Sequence, residues 1–141
     1  MVSAKVAGKV TLRRCVMATR ATYCFRNSDG YSTTVYIHWD GYPSGAASYF
    51  KNAFDFEGAG CFATKFIKSN YSAELTSNHE WHCDTEYMYD LDLDTWILTA
   101  RKISRFWSED KEPEKEIIFQ GNLSDFIKAN TYSDVYQAVK Q

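Results

Sequence analysis

The sequence predicts an α+β domain, with a mainly antiparallel sheet of about five to six strands and two to three helices packed on one face. Apolar and aromatic residues alternate in several short segments joined by brief connections, as in neighbouring antiparallel strands. Two segments with helical spacing are inserted between two groups of such strands. A chain of 141 residues is long enough to form one hydrophobic core and too short for a second domain. We assign residues 1–16 to a basic N-terminal extension and residues 17–141 to a single domain.

The first two strands are predicted from alternation. Small and aromatic residues alternate over residues 21–25 and again over 31–39. Between them, the segment NSDG has the composition of a turn, with Gly30 at the position where a positive φ is easiest. The two segments therefore predict a hairpin. One face of the second strand is predicted to carry Val35, Ile37 and Trp39, and the other Tyr36 and His38.

Two helices are predicted to follow. The second strand is expected to end at Asp40 and Gly41, which places Ser44 at an N-cap position where its hydroxyl can accept an amide of the first turn. Apolar residues then recur three and four positions apart in two segments separated by the loop DFEGAG. The buried stripes are predicted to contain Ala46, Tyr49, Phe50, Ala53 and Phe54 in the first helix, and Phe62, Phe66 and Ile67 in the second.

The second half of the chain predicts further strands in SAELTS, TEYMYDLDL, TWILTARKI and EIIFQ, the last after the charged loop SEDKEPEKE. Short helices are predicted after Asn122 and after Thr131. Asp90, Asp92 and Asp94 alternate outward, and we interpret them as a solvated edge that discourages pairing with other chains.

Composition excludes several classes of protein. With 16 basic and 18 acidic residues the net charge is −2, which argues against an extended track for nucleic acid. No run of apolar residues is long enough to cross a membrane, so a soluble protein is expected. The four cysteines are scattered and form no C-x-x-C pair, which favours reduced thiols in the cytoplasm. No nucleophile elbow, phosphate-binding glycine loop or dinucleotide motif is present.

The segment HWDGYP is the first candidate site. Its alternation places His38 and Asp40 on the side of Tyr36, where an imidazole, a carboxylate and a phenol could converge near a helix N-terminus. This arrangement favours a small anionic ligand or an acid–base pair. The structural alternative is equally open: Asp-Gly is a turn signal, Trp39 is a strand residue and Pro43 stiffens the approach to a helix.

The segment NHEWHCDTEYMY is the second candidate site. His79, His82 and Asp84 supply ligand types that zinc accepts. On a strand, however, positions 79 and 82 point to opposite faces, and the H-E-x-x-H order is missing. A polar loop at the end of a strand is therefore the more common explanation. We expect no cofactor, with zinc as the alternative.

Four segments together resemble a family of small uncharacterised bacterial proteins, with similar chains in phages and mobile elements. They are MATRATY, YIHWDGYPSGAASYF, FIKSNYSAELTSNHEWHCDTEYMYDLD and FQGNLSDFI, with HWDGYP and H-x-DTEY-x-Y as the specific motifs. The resemblance runs from about Met17 to Asn130, and Cys83 departs from it where a small residue is expected. It implies an intracellular prokaryotic or phage origin and no established reaction, and it suggests that the two candidate sites meet in the fold.

The favoured hypothesis is a non-enzymatic binding module for a partner protein or a small anionic ligand. We expect no association with membranes, and a homodimer is compatible with the sequence. Aromatic residues make up 16% of the chain, which is typical of a groove or interface. The alternative is a small metal-dependent hydrolase in which Asp40 or Glu86 activates a metal-bound water. A third alternative is that both segments serve folding alone. The predicted groove residues are His38, Trp39, Asp40, Tyr42, His82, Asp84, Glu86 and Tyr87.

Overall fold

The computed structural model describes residues 19–77, 85–103 and 114–131. Over these ranges the chain forms a six-stranded sheet and three helices, which confirms the predicted α+β class. No helix in this part of the chain is both long and apolar enough to span a membrane. The elements in chain order are β1 (Ala21–Arg26), β2 (Ser32–Ile37), α1 (Pro43–Asp55), α2 (Phe62–Ser69), β3 (Glu74–Thr76), β4 (Tyr87–Asp92), β5 (Ile97–Ile103), β6 (Lys115–Asn122) and α3 (Leu123–Asn130).

The strands lie in the order β3-β2-β1-β4-β5-β6. All neighbouring strands are antiparallel except the central pair, β1 and β4, which is parallel. The sheet is therefore mixed, a small departure from the prediction. After β2 the chain passes through two helices and β3 before β4 pairs with the free side of β1, and such a long crossover permits a parallel pair.

The predicted hairpin between β1 and β2 is confirmed. The Asn27 amide donates to the Tyr31 carbonyl at 3.1 Å, and the Gly30 amide donates to the Asn27 carbonyl at 3.2 Å. Gly30 has a φ of +86°, which only glycine adopts without strain. Register in this hairpin pairs Ala21 with Ile37, so the end of β2 lies beside the start of β1.

One face of the sheet packs against the helices, and this layer is the core. The Tyr23 ring lies 5.7 Å from the Phe50 ring of α1 and 5.0 Å from the Phe66 ring of α2. The Phe126 ring of α3 lies 6.3 Å from Phe50. All four side chains are buried, and burial of each is worth about 1.5–3 kcal/mol. The predicted placement of helices on one face is confirmed.

The predicted helical stripes are largely buried. Ala46, Phe50 and Ala53 of α1 have no exposed surface, whereas Phe54 at the far end of the helix is 48% exposed. Phe54 nevertheless contacts another aromatic side chain, with its ring 5.0 Å from that of Phe62. The helix after Asn122 is also confirmed, since the Asn122 side chain accepts the Ser124 amide at 2.8 Å. The helix predicted after Thr131 lies outside the described residues.

Two predictions about the first half of the chain are wrong in detail: the extent of the second strand and the N-cap residue of the helix that follows. Strand β2 ends at Ile37, so Trp39 has left the strand and is 45% exposed. Tyr42 is the N-cap residue of α1, with no side-chain cap bond, and Pro43 begins the helix. Proline is favoured at this position because its φ suits a helix and its missing N–H has no partner to lose. Ser44 therefore lies inside the first turn.

Candidate functional site

Residues 38–42, which we call the corner, connect β2 to α1 and are fixed to the sheet through Gly41. The Gly41 amide donates to the Thr19 carbonyl at 2.8 Å, and its carbonyl accepts the buried Tyr89 hydroxyl at 2.6 Å. A Cβ at this position would lie 2.7 Å from the Ala21 Cβ. The close approach requires glycine, so this part of the motif serves the fold.

The Asp40 backbone rests on the first turn of α1. A Cβ on Gly45 would meet the Asp40 carbonyl oxygen at 1.9 Å, which leaves no space for a side chain. Asp40 itself has a φ of +53°, a conformation that is uncommon for residues other than glycine, asparagine and aspartate. Aspartate tolerates this conformation better than most residues, because its short polar side chain can form local hydrogen bonds.

A pocket of about 210 Å³ opens between the corner and α1. The Tyr42 hydroxyl donates to Asp40 Oδ1 at 3.1 Å, and the Tyr49 hydroxyl donates to the Trp39 carbonyl at 2.9 Å. Asp40 is the one acidic side chain in the lining, and the other side chains contribute hydroxyl groups and the apolar surface of two tyrosine rings. The lining residues are Asp40, Tyr42, Ser44, Gly45, Ser48 and Tyr49.

Both phenols of the pocket stay protonated over the physiological range. Burial raises the pKa of Tyr49 to about 12, with smaller contributions from Asp40 and Tyr42. Burial also raises the pKa of Tyr42, and the hydrogen bond to Asp40 and its charge act in the same direction. The phenols therefore act as hydrogen-bond donors toward the corner, while their oxygen lone pairs remain available as acceptors.

His38 and Asp40 form separate pairs. His38 Nδ1 lies 3.4 Å from the Tyr36 hydroxyl, and its ring makes a T-shaped contact with the Trp39 ring at 4.6 Å. Asp40 pairs with Tyr42 instead. The positive φ at Asp40 interrupts the strand alternation that predicted a shared side for His38 and Asp40.

The second candidate segment is described only from residue 85 onward, so His79, His82 and Asp84 lie outside the described residues. Register places Ala21 opposite Ile37 on one side and opposite Tyr87 on the other. The end of β2 and the start of β4 are thus two strand spacings apart, about 10 Å. The two candidate segments therefore reach the same end of the sheet.

Two predicted groove residues, Glu86 and Tyr87, lie at the start of β4. The Glu86 amide donates to the Arg20 carbonyl at 2.9 Å. Tyr87 is half-buried on the helix side, where its ring stacks with Tyr89 at 6.2 Å. Within residues 19–77, 85–103 and 114–131, no three metal-ligating side chains come together. The zinc site stays a prediction, because its proposed ligands lie outside these ranges.

Sequence reasoning missed a charged cluster on the opposite face of the sheet. Arg26 and Arg101 both donate to Asp90, at 2.5 and 2.8 Å. The Asp90 side chain is only 17% exposed and belongs to an interior strand. The prediction that Asp90 and Asp92 form a solvated edge is therefore wrong. Alternation did indicate that Asp90 points away from Tyr89, but the neighbouring strands were needed to identify its partners.

No family model matches the chain, and searches of the curated proteins and of the solved structures found no match either. The resemblance drawn from the HWDGYP and H-x-DTEY-x-Y motifs therefore stays a prediction.

Proposed function

We propose that this chain is a binding module that holds a cationic side chain, lysine or arginine, of a protein partner in the corner pocket. The observation that carries the proposal is the Asp40 carboxylate, the one ionised group in the lining of a hydroxyl-rich pocket. A setting in the cytoplasm of a bacterium or phage-infected cell belongs to the proposal, and is supported by the motif resemblance and the scattered cysteines.

The pocket is rich in hydrogen-bond acceptors. In the described part of the chain Asp40 accepts one side-chain hydrogen bond, from Tyr42, so a second carboxylate oxygen can accept from a ligand. The Tyr42, Tyr49 and Ser48 oxygens retain lone pairs after donating their own protons. Ammonium and guanidinium groups carry donors and no acceptors, and so complement this lining. A small anion would instead meet the like charge of Asp40.

The surroundings of the pocket favour a macromolecular ligand. A volume of about 210 Å³ is below the range of about 300–1,000 Å³ that is usual for drug-sized ligands. Trp39 lies beside Asp40 in the corner and is 45% exposed. Exposed tryptophan is frequent among the residues that carry binding energy at protein interfaces. One side chain in the pocket and an apolar contact on Trp39 would together make a small interface.

The interpretation of the corner as a folding element explains its glycines but leaves the charge of Asp40 unexplained. Gly41 and Gly45 are required by close backbone contacts. A positive φ is equally compatible with asparagine, which has no charge. The Asp40 carboxylate does not cap α1, the helix that follows it, since α1 has no side-chain cap bond. Binding of a cation gives that carboxylate a role.

Calorimetric titration with a capped Gly-Lys-Gly peptide tests the proposal, with capped Gly-acetyllysine-Gly and Gly-Glu-Gly as matched ligands. We expect measurable binding of the lysine peptide alone, with a loss of about tenfold or more in Asp40→Asn. Asparagine has the same size and tolerates the same φ, so the variant should fold. Equal binding to Asp40→Asn, preference for the glutamate peptide, or binding of none of the three would overturn the proposal.

A further inference from the structure

We infer that the face of the sheet opposite α1, α2 and α3 carries a second site, which binds a small zwitterion of the α-amino-acid class, with a carboxylate and an ammonium group. A cavity of about 360 Å³ lies on this face, which we call the basin. It is separate from the corner pocket and shares no lining residue with it. The basin is lined by Arg26, Asp90, Asp92, Ile97, Thr99 and Arg101.

Strand register brings these residues together. Arg26 of β1 lies opposite Asp92 of β4, and Asp90 of β4 lies opposite Thr99 of β5. Residues two apart on a strand share a face, so these side chains project away from Tyr89 and the helices. Because β1, β4 and β5 lie inside the sheet, the basin has a rigid floor of hydrogen-bonded backbone.

Two guanidinium groups are held in place by one carboxylate. Arg26 donates to Asp90 Oδ1 and Arg101 donates to Asp90 Oδ2, so the two side chains approach Asp90 from different strands. Each guanidinium has five N–H donors, and the bond to Asp90 occupies one of them. The Arg26 side chain is 53% exposed and that of Arg101 32% exposed, so the remaining donors are accessible. Fixed guanidinium groups suit the planar oxygens of a ligand carboxylate.

Asp92 gives the basin a second carboxylate, which pairs with no cation among the described residues. Its Oδ1 accepts the Asp94 and Thr95 amides at 2.8 and 3.3 Å, which fixes the side chain. Arg26 lies opposite Asp92 in the register, yet its guanidinium pairs with Asp90. Among the ion pairs of the described ranges, none includes Asp92. A carboxylate that is fixed by backbone amides and lines a cavity can accept an ammonium group through its second oxygen.

The balance of charge selects a zwitterion over a simple anion. Two arginines and two aspartates make the basin lining neutral, so an anion would leave a net negative charge with Asp92 still unpaired. A zwitterion satisfies both ends: its carboxylate meets the arginine donors and its ammonium group meets Asp92. Ile97 is 39% exposed at the basin and offers an apolar contact for a ligand side chain. Valine is therefore a suitable probe.

NMR titration with free L-valine, N-acetylvaline and valine amide tests this inference. We expect shifts of the Thr99 and Asp92 amide signals with free valine, and affinities at least about tenfold weaker for the two analogues, each of which lacks one charge. Asp92→Asn should weaken valine binding by a similar factor. Asparagine retains a carbonyl oxygen for the Asp94 and Thr95 amides, so the turn is preserved.

Asp55→Asn is the matched control, because Asp55 is an exposed acid on α1 and should leave valine binding unchanged. N-acetylvaline binding as tightly as valine would make the basin a simple anion site and overturn the inference. Equal binding of valine by Asp92→Asn, or no shift at the basin with any of the three probes, would overturn it as well. The corner proposal is unaffected by these outcomes, since Asp40 lies outside the basin.

Discussion

The corner and the basin each contain a carboxylate that is bound by other side chains, but the two carboxylates differ in how their negative charge is compensated. Among the described residues, Asp40 accepts a hydrogen bond from a hydroxyl and pairs with no cation, whereas Asp90 pairs with two guanidinium groups. The charge of Asp90 is therefore offset by side chains of the fold itself, whereas under our proposal the charge of Asp40 is offset by a bound cation. A single carboxylate in a pocket is informative about function only after its partners are known.

The two regions also differ in what positions them. Backbone contacts of Gly41 and Gly45 fix the corner, while strand register fixes the basin. A change in the corner backbone should therefore disturb the fold, and a change of one basin side chain should mainly disturb its neighbours. This difference can be tested by stability measurements.

The largest effect is expected for Gly45→Ala. Alanine normally stabilises a helix relative to glycine, but here its Cβ would meet the Asp40 carbonyl oxygen at 1.9 Å. We expect a loss of about 3 kcal/mol in the free energy of unfolding, measured by urea denaturation. The control, Gly30→Ala, has no neighbouring atom within 4 Å and should cost about 1 kcal/mol from its positive φ alone. Stabilisation by Gly45→Ala would show that the Asp40 carbonyl does not pack closely against Gly45 of α1.

Asp90→Asn should have the next largest effect, because it removes the shared carboxylate of Arg26 and Arg101. We expect a loss of about 2 kcal/mol in the free energy of unfolding. Asp55 forms an exposed pair with Lys51 at 2.7 Å, and Asp55→Asn should cost only about 0.3 kcal/mol. Equal losses in the two variants would mean that the basin network is no stronger than an ordinary surface pair.

A third comparison uses Tyr23 and Tyr89, two buried rings stacked at 5.0 Å. The Tyr89 hydroxyl donates to the Gly41 carbonyl at 2.6 Å, whereas the buried Tyr23 hydroxyl has no hydrogen-bond partner in the described part of the chain. Tyr89→Phe should therefore cost about 1.5 kcal/mol, and Tyr23→Phe should be neutral or stabilising. The same destabilisation in both variants would contradict the role given to the bond between Tyr89 and the corner.

A fourth comparison concerns stability at alkaline pH. Burial raises the pKa of Tyr49 from 10.0 to about 12 in the folded state. This contribution is fully present below pH 10.0 and is lost as the pH rises through about 12, because the unfolded chain then releases a proton that the folded chain retains. We expect the stability difference between the wild type and Tyr49→Phe to shrink over this interval. A difference independent of pH would show that Tyr49 titrates normally.

Much of the fold could be predicted from local patterns. The NSDG turn, the strand alternation and the Phe50 and Phe66 stripes depend on residues close in sequence, and they are confirmed except that β2 ends at Ile37 and that Phe54 is exposed. The corner was also located from its motif. Its geometry was not, because the positive φ at Asp40 depends on packing against α1 and turns His38 and Asp40 toward different partners.

The basin could not be found from local patterns. Arg26 and Asp90 are 64 positions apart, and their contact depends on the parallel pairing of β1 with β4. The sequence indicates which face each residue occupies but leaves open which strands are neighbours. An outward-facing acid in an interior strand and one at an edge have the same sequence pattern, and this is why Asp90 was assigned to an edge.

The central claim is that the Asp40 carboxylate binds a cationic side chain at the corner. NMR mapping of two ligands on the wild type, Asp40→Asn and Asp92→Asn tests this claim. Capped Gly-Lys-Gly should shift the amide signals of Tyr42, Ser48 and Tyr49 in the wild type and in Asp92→Asn, and should not shift them in Asp40→Asn. Free valine should shift none of these signals. Shifts of the same size in Asp40→Asn, or lysine-peptide shifts confined to the basin, would contradict the account.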